Sequence, residues 1–532
     1  MNRWRIGAAG RRGAAAVALL LAAGVPVAAR AGTDPIEAQL RQHIATLASD
    51  EFGGREPGTE GETRTLRYLA GQWFDLGLES GTNDPGHAWF APVRLIEHKP
   101  VSWRAQFLAG PTGARRRIVA DARSAIVVTS GLRSLVENAP LLFVGDGGGK
   151  VPARQELAGR IALILDSSRA SKDPAAQDER VGKLLDGGAS GVVTVLDGNR
   201  SIDEVRARRA RSGYALSDEK LGGDLVGFMT RELAAQVFGE GELAAMRRAA
   251  ARQGVVARVL GVSATLEAQS RNATINTHNL VGRIPGRNPA AGAVLLVAHW
   301  DHFGTCAAPP APHLICNGAV DNASGLAVIT EVARQLAQGK PLQRDVYVLA
   351  TSAEEYGLLG ALAFAENPPI PLGNFVAVFN VDTDAIAPAG GAFAIVGRGR
   401  TGLDPEIEKV VRRAGRKLVA GDPAAAYVRR QDGWVFLQHD VPAVMVSTAY
   451  ADQPRFDRFM ETRYHRPADQ ATDDLELGGA ADDVRMIAAL VRDFSDPGAW
   501  PGRPLATPPS APQGAPPAGP RTAPPEIDRP HR

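Results

Sequence analysis

Three stretches decide the fold: AVLLVAHWD at 293–301, DVYVLATSAEE at 345–355 and FVAVFNVDTD at 375–384. Each is an apolar run of strand length that stops at a histidine or at acids. Unbroken apolar runs, rather than alternation, mark strands buried on both faces. Between the first two lies ASGLAVITEVARQL (323–336), with Leu326, Ile329, Val332 and Leu336 at helical spacing. LDPEIEKVVRRAG (403–415) and DDVRMIAALVRDF (482–494) repeat that behaviour, and FAIVG (393–397) and VPAVMVST (441–448) add two more strands. Apolar strands alternating with amphipathic helices predict an α/β architecture, a mixed, mostly parallel sheet sandwiched by helices.

Upstream, from about 120 to 260, the texture changes to short β-type runs with intervening helices: PLLFVGDG, GRIALILDSS, GVVTVLDG and VGFMT. This reads as an inserted, smaller α/β module. Its GDGGGK (145–150) lacks the spacing of a phosphate loop. Before it, IEAQLRQHIATLA (36–48) and a segment from about Glu60 to Leu76 read as helices flanking a Gly-rich turn. The expected organisation is a signal peptide at 1–31, an N-terminal part of the main domain at 34–120, the insertion at 121–265, the rest of the main domain at 266–496 and a Pro-rich disordered tail at 497–532.

The ends carry their own signals. Arg3, Arg5, Arg11 and Arg12 precede an apolar run, Ala14 to Ala29, followed by Ala29-Arg30-Ala31. That is the layout of a cleaved secretory signal, and the run is short for a membrane span, although an uncleaved anchor shares its charge pattern. An exported protein, periplasmic or secreted, with no stable membrane span after cleavage is the expectation. The tail, PLATPPSAPQGAPPAGPRTAPPE, has too few large apolar groups to offset chain entropy.

Composition excludes several classes. At about 150 residues per domain, 532 residues predict two to four domains. Sixty Lys and Arg against 58 Asp and Glu leave a formal charge of +2, which offers no electrostatic case for nucleic acid as a partner. With 44% hydrophobic and 22% charged residues the chain has ample core, which rules out wholesale disorder and a polytopic membrane protein. Two cysteines exclude a disulfide scaffold and any four-thiolate site.

The chemistry-bearing residues fall at the strand ends. VLLVA ends in His299-Trp300-Asp301-His302, VYVLATSA in Glu354-Glu355 and VAVFNV in Asp382, while Asp321 sits in a Gly/Asn/Ser turn before a helix and His465 in a loop before the last one. Open α/β sheets gather ligand sites just outside the carboxyl ends of their strands, so these residues converge on one rim. Histidines and carboxylates without thiolate suit zinc and tolerate manganese or cobalt. Five ligands exceed one catalytic zinc but suit two metals sharing a carboxylate, with Asp321 as the natural bridge. Consecutive side chains at a strand end point to opposite sides, so one of Glu354 and Glu355 can bind metal while the other acts as a general base. Singly, each residue has a plainer explanation. A strand-end histidine is commonly a hydrogen-bonded core residue, adjacent glutamates suit a helix start, and Asp382 or Asp384 could belong to a turn. The ordered set on successive strand ends argues against that.

The motifs AHWDHFG, NGAVDNASG, SAEEYGLLGA, FNVDTD and YHRPAD resemble, in order, those of the co-catalytic dizinc aminopeptidases, metallopeptidase family twenty-eight, especially exported bacterial members. The similarity spans roughly residues 36–495 and includes LASDEFGGREPGTEG (47–61). The insertion resembles a protease-associated domain, and the fold implied is of the zinc exopeptidase type. The resemblance implies that His299 and Asp382 hold one metal, Glu355 and His465 the other, and Asp321 bridges them. Glu354 would be the general base, Asp301 would orient the His299 imidazole, and Asp469 would serve His465 similarly.

The sequence departs from the family pattern in places. Asn380-Val-Asp382-Thr-Asp384 leaves two aspartates near one slot, of which Asp382 directly follows the strand. Where relatives show R-S-D-H, this chain has Arg430-Gln431-Asp432-Gly433, so specificity does not transfer. Export would favour a disulfide between Cys306 and Cys316 across CAAPPAPHLIC. The activity implied is an exported metallo-aminopeptidase, acting on peptides with a free N-terminus. The rivals are a carboxypeptidase or dipeptidase on the same metal core, which Arg429, Arg430 or Arg463 would mark by binding a carboxylate, and a non-catalytic binding protein of this fold.

Overall fold

The computed structural model describes residues 34–111, 113–166, 174–198, 200–209, 213–217, 224–251, 256–502 and 523–525. The expected signal peptide lies outside the described residues, as does most of the expected tail.

One hydrogen-bonded sheet path runs through the molecule. Strands Ala443–Ser447, Phe375–Asn380, Ala293–His299 and Asp345–Thr351 are neighbours in that order and parallel. Ala394–Val396 closes one edge antiparallel to Ala443–Ser447, and the C-terminal half of Arg258–Ile284 pairs antiparallel with Asp345–Thr351. The sheet is therefore mixed and mostly parallel, as its apolar runs predict. Its two faces divide by alternation. Val294, Leu296, Ala298, Val346, Val348 and Ala350 pack under helices Pro35–Leu47, Glu60–Asp75, Gly325–Ala337 and Leu477–Phe494. Leu295, Val297, Leu349 and Val378 pack on the other side against Ala361, Phe364, Val435 and Phe436. Side chains of period two on a strand require this division. Asp34 and Thr59 cap the first two helices, accepting from the amides of Ile36 and Gly61.

The path continues through Arg258–Ile284 into a second set of strands: Arg133–Phe143, Ile161–Leu165, Gly191–Leu196 and Leu225–Thr230, mutually parallel, with Ala125–Thr129 antiparallel at the edge. This set has its own core, including Phe107, Leu141, Phe143, Leu163, Val195, Met229 and Met246. The core draws Ala105 and Ala109 from strand Phe90–Ala109 and Ala268 from Arg258–Ile284, beyond the 121–265 bounds read from sequence. The two long strands pair from Phe90 opposite Leu280 to Leu108 opposite Ser263, so one ribbon serves both cores. The ribbon continues through a single register shift between Gln269 and Ser270, and its strands do not end where it passes from one core to the other.

At the C-terminal end, Arg344 is 1% exposed and donates to the carbonyls of Ala291, Phe494, Trp500 and Pro501 at 2.6–3.0 Å. Trp500 packs on Phe494 with ring centroids 5.2 Å apart. Residues 497–501 are thus seated on the core rather than part of a loose tail. A buried guanidinium supplied by another element holds them, which their own Pro/Gly composition does not disclose. Cys306 and Cys316 form a disulfide, Cα to Cα 5.7 Å. Among the described residues no helix is long and apolar enough to cross a membrane.

Candidate metal centre

His299 is the last residue of its strand, Glu354 and Glu355 lie in the turn after Asp345–Thr351, and Asp382 follows Phe375–Asn380 by two positions. Asp321 sits in the irregular turn 319–324, and His465 between helices Gln453–Thr462 and Leu477–Phe494. The turn before Asp321 starts at Gly318, φ 56°, where a Cβ would come within 2.1 Å of the Asp321 carbonyl oxygen and 2.7 Å of the His302 ring. Only glycine allows that approach.

The structure brings these residues together. Ligand atoms of His299, Glu354 and Asp382 lie within 4.8 Å of one another, as do those of His302, Asp321 and Glu355. Asp321 faces both groups: Oδ1 is 3.2 Å from His299 Nε2 and Oδ2 is 3.3 Å from His465 Nε2. His465 Nε2 is also 2.9 Å from Glu355, and Asp382 is 3.6 Å from His299 Nε2. Glu354 is farther from that nitrogen, at 4.0 Å. Glu354 and Glu355 point into different groups because they occupy a turn, entered through Ala353 at φ 53°, and not the strand itself.

The donor set can be tested for metal. His299 Nε2, both nitrogens of His302, Glu355 Oε1 and His465 Nε2 are buried without a hydrogen-bond partner. Buried polar atoms are ordinarily satisfied, and here several orphans of imidazole and carboxylate type point at one another. Nitrogen and oxygen donors so arranged fit divalent cations such as zinc, and Asp321 faces both groups.

His302 is the residue that sequence reading missed. Its Nδ1 lies 2.5 Å from Glu355 Oε1, and its ring is wholly buried. The available signal was a second histidine three positions after His299. Asp301 corrects an expectation. Its carboxylate is 3.8 Å from His299 Nδ1, an ion-pair separation, and the ring nitrogen instead meets the Asp301 main-chain oxygen at 3.1 Å. The carboxylate accepts from the amides of Glu354 (3.0 Å) and Glu355 (3.4 Å). The strand ends at His299, so strand alternation does not carry to Asp301. Asp469 likewise accepts from the amides of Val320 and Asp321 and so holds the Asp321 turn, where an interaction with His465 was expected. Asp384 turns away to accept from Ser447 at 2.8 Å.

Electrostatics follow from packing acids and imidazoles together out of water. Burial, reinforced by Asp382, Asp432 and Glu355, pushes Glu354 well above the usual carboxylate range despite His299. Burial opposes charge on Glu355, but His465 and His302 outweigh it and hold Glu355 down at about 2. Burial would lower His465, yet Glu355 and Asp321 raise it to about 9; Glu354, Asp321 and Asp382 likewise push His299 up against its burial. Without metal both imidazoles therefore hold a proton more tightly than a free histidine does, while a cation needs them neutral. Zinc loading at pH 7 is expected to release about one to two protons per chain. Calorimetry in buffers of different ionisation enthalpy measures this, and a buffer-independent heat would contradict it.

Glu354, Asp321 and Asp382 open into a pocket walled by Tyr427, Arg430, Tyr450, Phe456, Met460 and Tyr464. Of the three arginines noted in the sequence, Arg429 pairs with Glu179 and Arg463 with Asp474. Arg430 faces the pocket, its guanidinium 5.4 Å from the Tyr427 ring centre and 5.6 Å from that of Tyr464.

Residues 279–491 match the family model described as peptidase family M28. The matching stretch carries every residue of this site, and the match together with the fold supports a zinc-dependent peptidase. The fold is also that of an aminopeptidase from Aneurinibacillus sp. strain AM-1, at TM-score 0.53 and 17% identity over 86% of this chain and 93% of that one. A peptidase M28 precursor from Shewanella amazonensis SB2B aligns at TM-score 0.45 and 17% identity over 89% of this chain and 98% of that one. A zinc aminopeptidase from Bacillus subtilis aligns at 0.43 and 17% over 86% and 94%. No curated protein matches the chain by sequence.

Proposed function

We propose that the chain is an exported aminopeptidase working with two zinc ions, or manganese or cobalt in their place, that removes the N-terminal residue of peptides with a free amine. The observation that carries this reading is Asp321, whose two oxygens face two separate histidine–carboxylate groups at 3.2 and 3.3 Å. His299 and Asp382 would hold one ion, Glu355 and His465 the other, with Asp321 available to both. His302, against Glu355, either orients that carboxylate or adds a nitrogen to its ion. Bound there, the ions supply water activation and polarisation of the scissile carbonyl.

The protein's own groups handle binding and protons. Glu354 lines the pocket and has a raised proton affinity, suited to accept a proton from the attacking water and return it to the leaving amine. Asp301 anchors the main chain of both glutamates, so base and ligand keep their spacing. A surplus of carboxylates at the rim attracts the substrate ammonium. The aromatic walls would accept the N-terminal side chain. The inserted unit, of protease-associated type, meets this side of the molecule through Glu179–Arg429 and through Tyr214 tilted against Tyr356, ring centres 4.1 Å apart. It serves access rather than chemistry.

Arg430 keeps the carboxypeptidase or dipeptidase reading within reach of the same experiment. A panel of free-amine, blocked-amine and C-terminally amidated peptides is expected to be cleaved only where the amine is free. Arg430→Ala should leave amidated substrates within about threefold and slow short peptides bearing a free carboxylate about tenfold, the scale of one charge-assisted contact. Cleavage of blocked-amine peptides would overturn the aminopeptidase reading and leave the metal centre standing.

A further inference from the structure

Arg55 lies in the Gly-rich turn of the N-terminal segment, far in sequence from every residue of the metal centre, yet it is wholly buried against the loops that carry them. Its Nε donates to the carbonyl of Trp300 at 2.8 Å. Nη1 donates to Leu47 (2.9 Å) and Asn317 (2.6 Å), and Nη2 to Gly318 (2.9 Å). Its own carbonyl accepts from the amide of His302 at 3.4 Å. Trp300 separates His299 from Asp301, and Asn317–Gly318 lead into the turn of Asp321. One planar guanidinium therefore spans the two loops that carry three of the clustered side chains.

The approach is costly and specific. Gly53, Gly54 and Arg55 all have positive φ, at 58°, 71° and 57°. A Cβ on Gly54 would come within 2.5 Å of the Cys316 carbonyl oxygen and 2.8 Å of the Gly304 Cα. An arginine in that backbone conformation persists only where surrounding contacts over-determine it. The hydrogen bonds cited for Arg55 all end on main-chain carbonyls, and among the described residues no carboxylate forms an ion pair with it. It faces Asp469, Asp301, Asp321 and Glu355 at longer range.

We propose that Arg55 is a positioning residue for the peptidase reaction: its guanidinium locks the His299–His302 loop to the Asp321 turn, and its fixed charge steadies the carboxylate cluster before metal enters. This rests on the functional reading above for its consequence, though not for the geometry. Lysine keeps the charge but cannot reproduce the fork of donors, whereas methionine loses both.

The test uses the full-length chain, with Arg55→Lys and Arg55→Met compared with the parent by hydrogen exchange in the metal-free state, zinc titration and steady-state kinetics. Arg55→Lys is expected to exchange faster at residues 300–302 and 317–321, with 345–351 and 477–494 unchanged. Its weaker zinc ion should dissociate about 10- to 100-fold more readily, with kcat down by a similar factor and KM little altered. Arg55→Met should show larger effects of the same kind. If Arg55→Met fails to fold, Arg55→Lys decides. Parent-like exchange in both loops overturns the proposal, and so does acceleration spread evenly through the chain, which would mark a general structural role. Local acceleration in a protein that cleaves no free-amine peptide would retain the clamp and remove the functional reading instead.

Discussion

Glu354→Gln is expected to retain the parent's metal content and to turn over about 10³- to 10⁴-fold more slowly, the upper range for loss of a positioned general base. The substitution preserves volume, and the main-chain amide that Asp301 holds is untouched. Glu354 is also more distant from His299 Nε2 than Asp321 or Asp382, so the ligand set survives it. Stability should move the other way. In the metal-free fold Glu354 has a proton affinity raised above the ordinary value of 4.5, chiefly by burial. The folded state then holds a proton that the unfolded state gives up, and stability declines as pH rises from 4.5 towards the raised folded value. Glutamine removes that pH dependence, so the metal-free variant should melt higher than the metal-free parent at pH 7. Metal analysis, kinetics and thermal unfolding measure the three effects. Activity above about a tenth of the parent's would take the base assignment from Glu354.

Asp321→Asn is expected to be as damaging by a different route. Zinc content should fall from two per chain to one or fewer, with kcat/KM lower by about 10³-fold or more, since removing residues that merely support ligands already costs 10- to 100-fold. The turn itself should keep its place. Asp469 holds it through the amides of Val320 and Asp321, which the substitution spares, and Arg55 holds Gly318. In the metal-free protein His299 and His465 lose a carboxylate partner, so both imidazoles release their protons at lower pH than in the parent. A variant with two tightly held zinc ions would show that Asp321 is not shared. Metal content together with an NMR titration of the histidines separates loss of the bridge from loss of the fold.

Much of this was legible because the chemistry sits where strands stop. The runs ending at His299, Glu354-Glu355 and Asp382 announce buried parallel strands by their unbroken apolar character, and a parallel sheet brings its strand ends to one edge. Local pattern was a poorer guide to orientation. Asp301 follows His299 by the strand interval, yet its carboxylate serves the amides of Glu354 and Glu355 because the strand has ended. Asp469 looked like a partner for His465 and instead secures the Asp321 turn.

By itself, the sequence determined the sheet, the helices that cover it and the rim where acids and histidines gather. Apolar periodicity and residue order are properties of the chain that no packing can alter. Only the tertiary structure decided which oxygen faces which nitrogen: that His302 meets Glu355, that Asp384 turns to Ser447 while Asp382 faces His299, and that Arg55 joins two loops some 250 residues away. It also decided where one ribbon of two long strands passes from one core into the other. Directional hydrogen bonds between segments remote in sequence settle such matters, and they leave no trace in the spacing of residues along the chain.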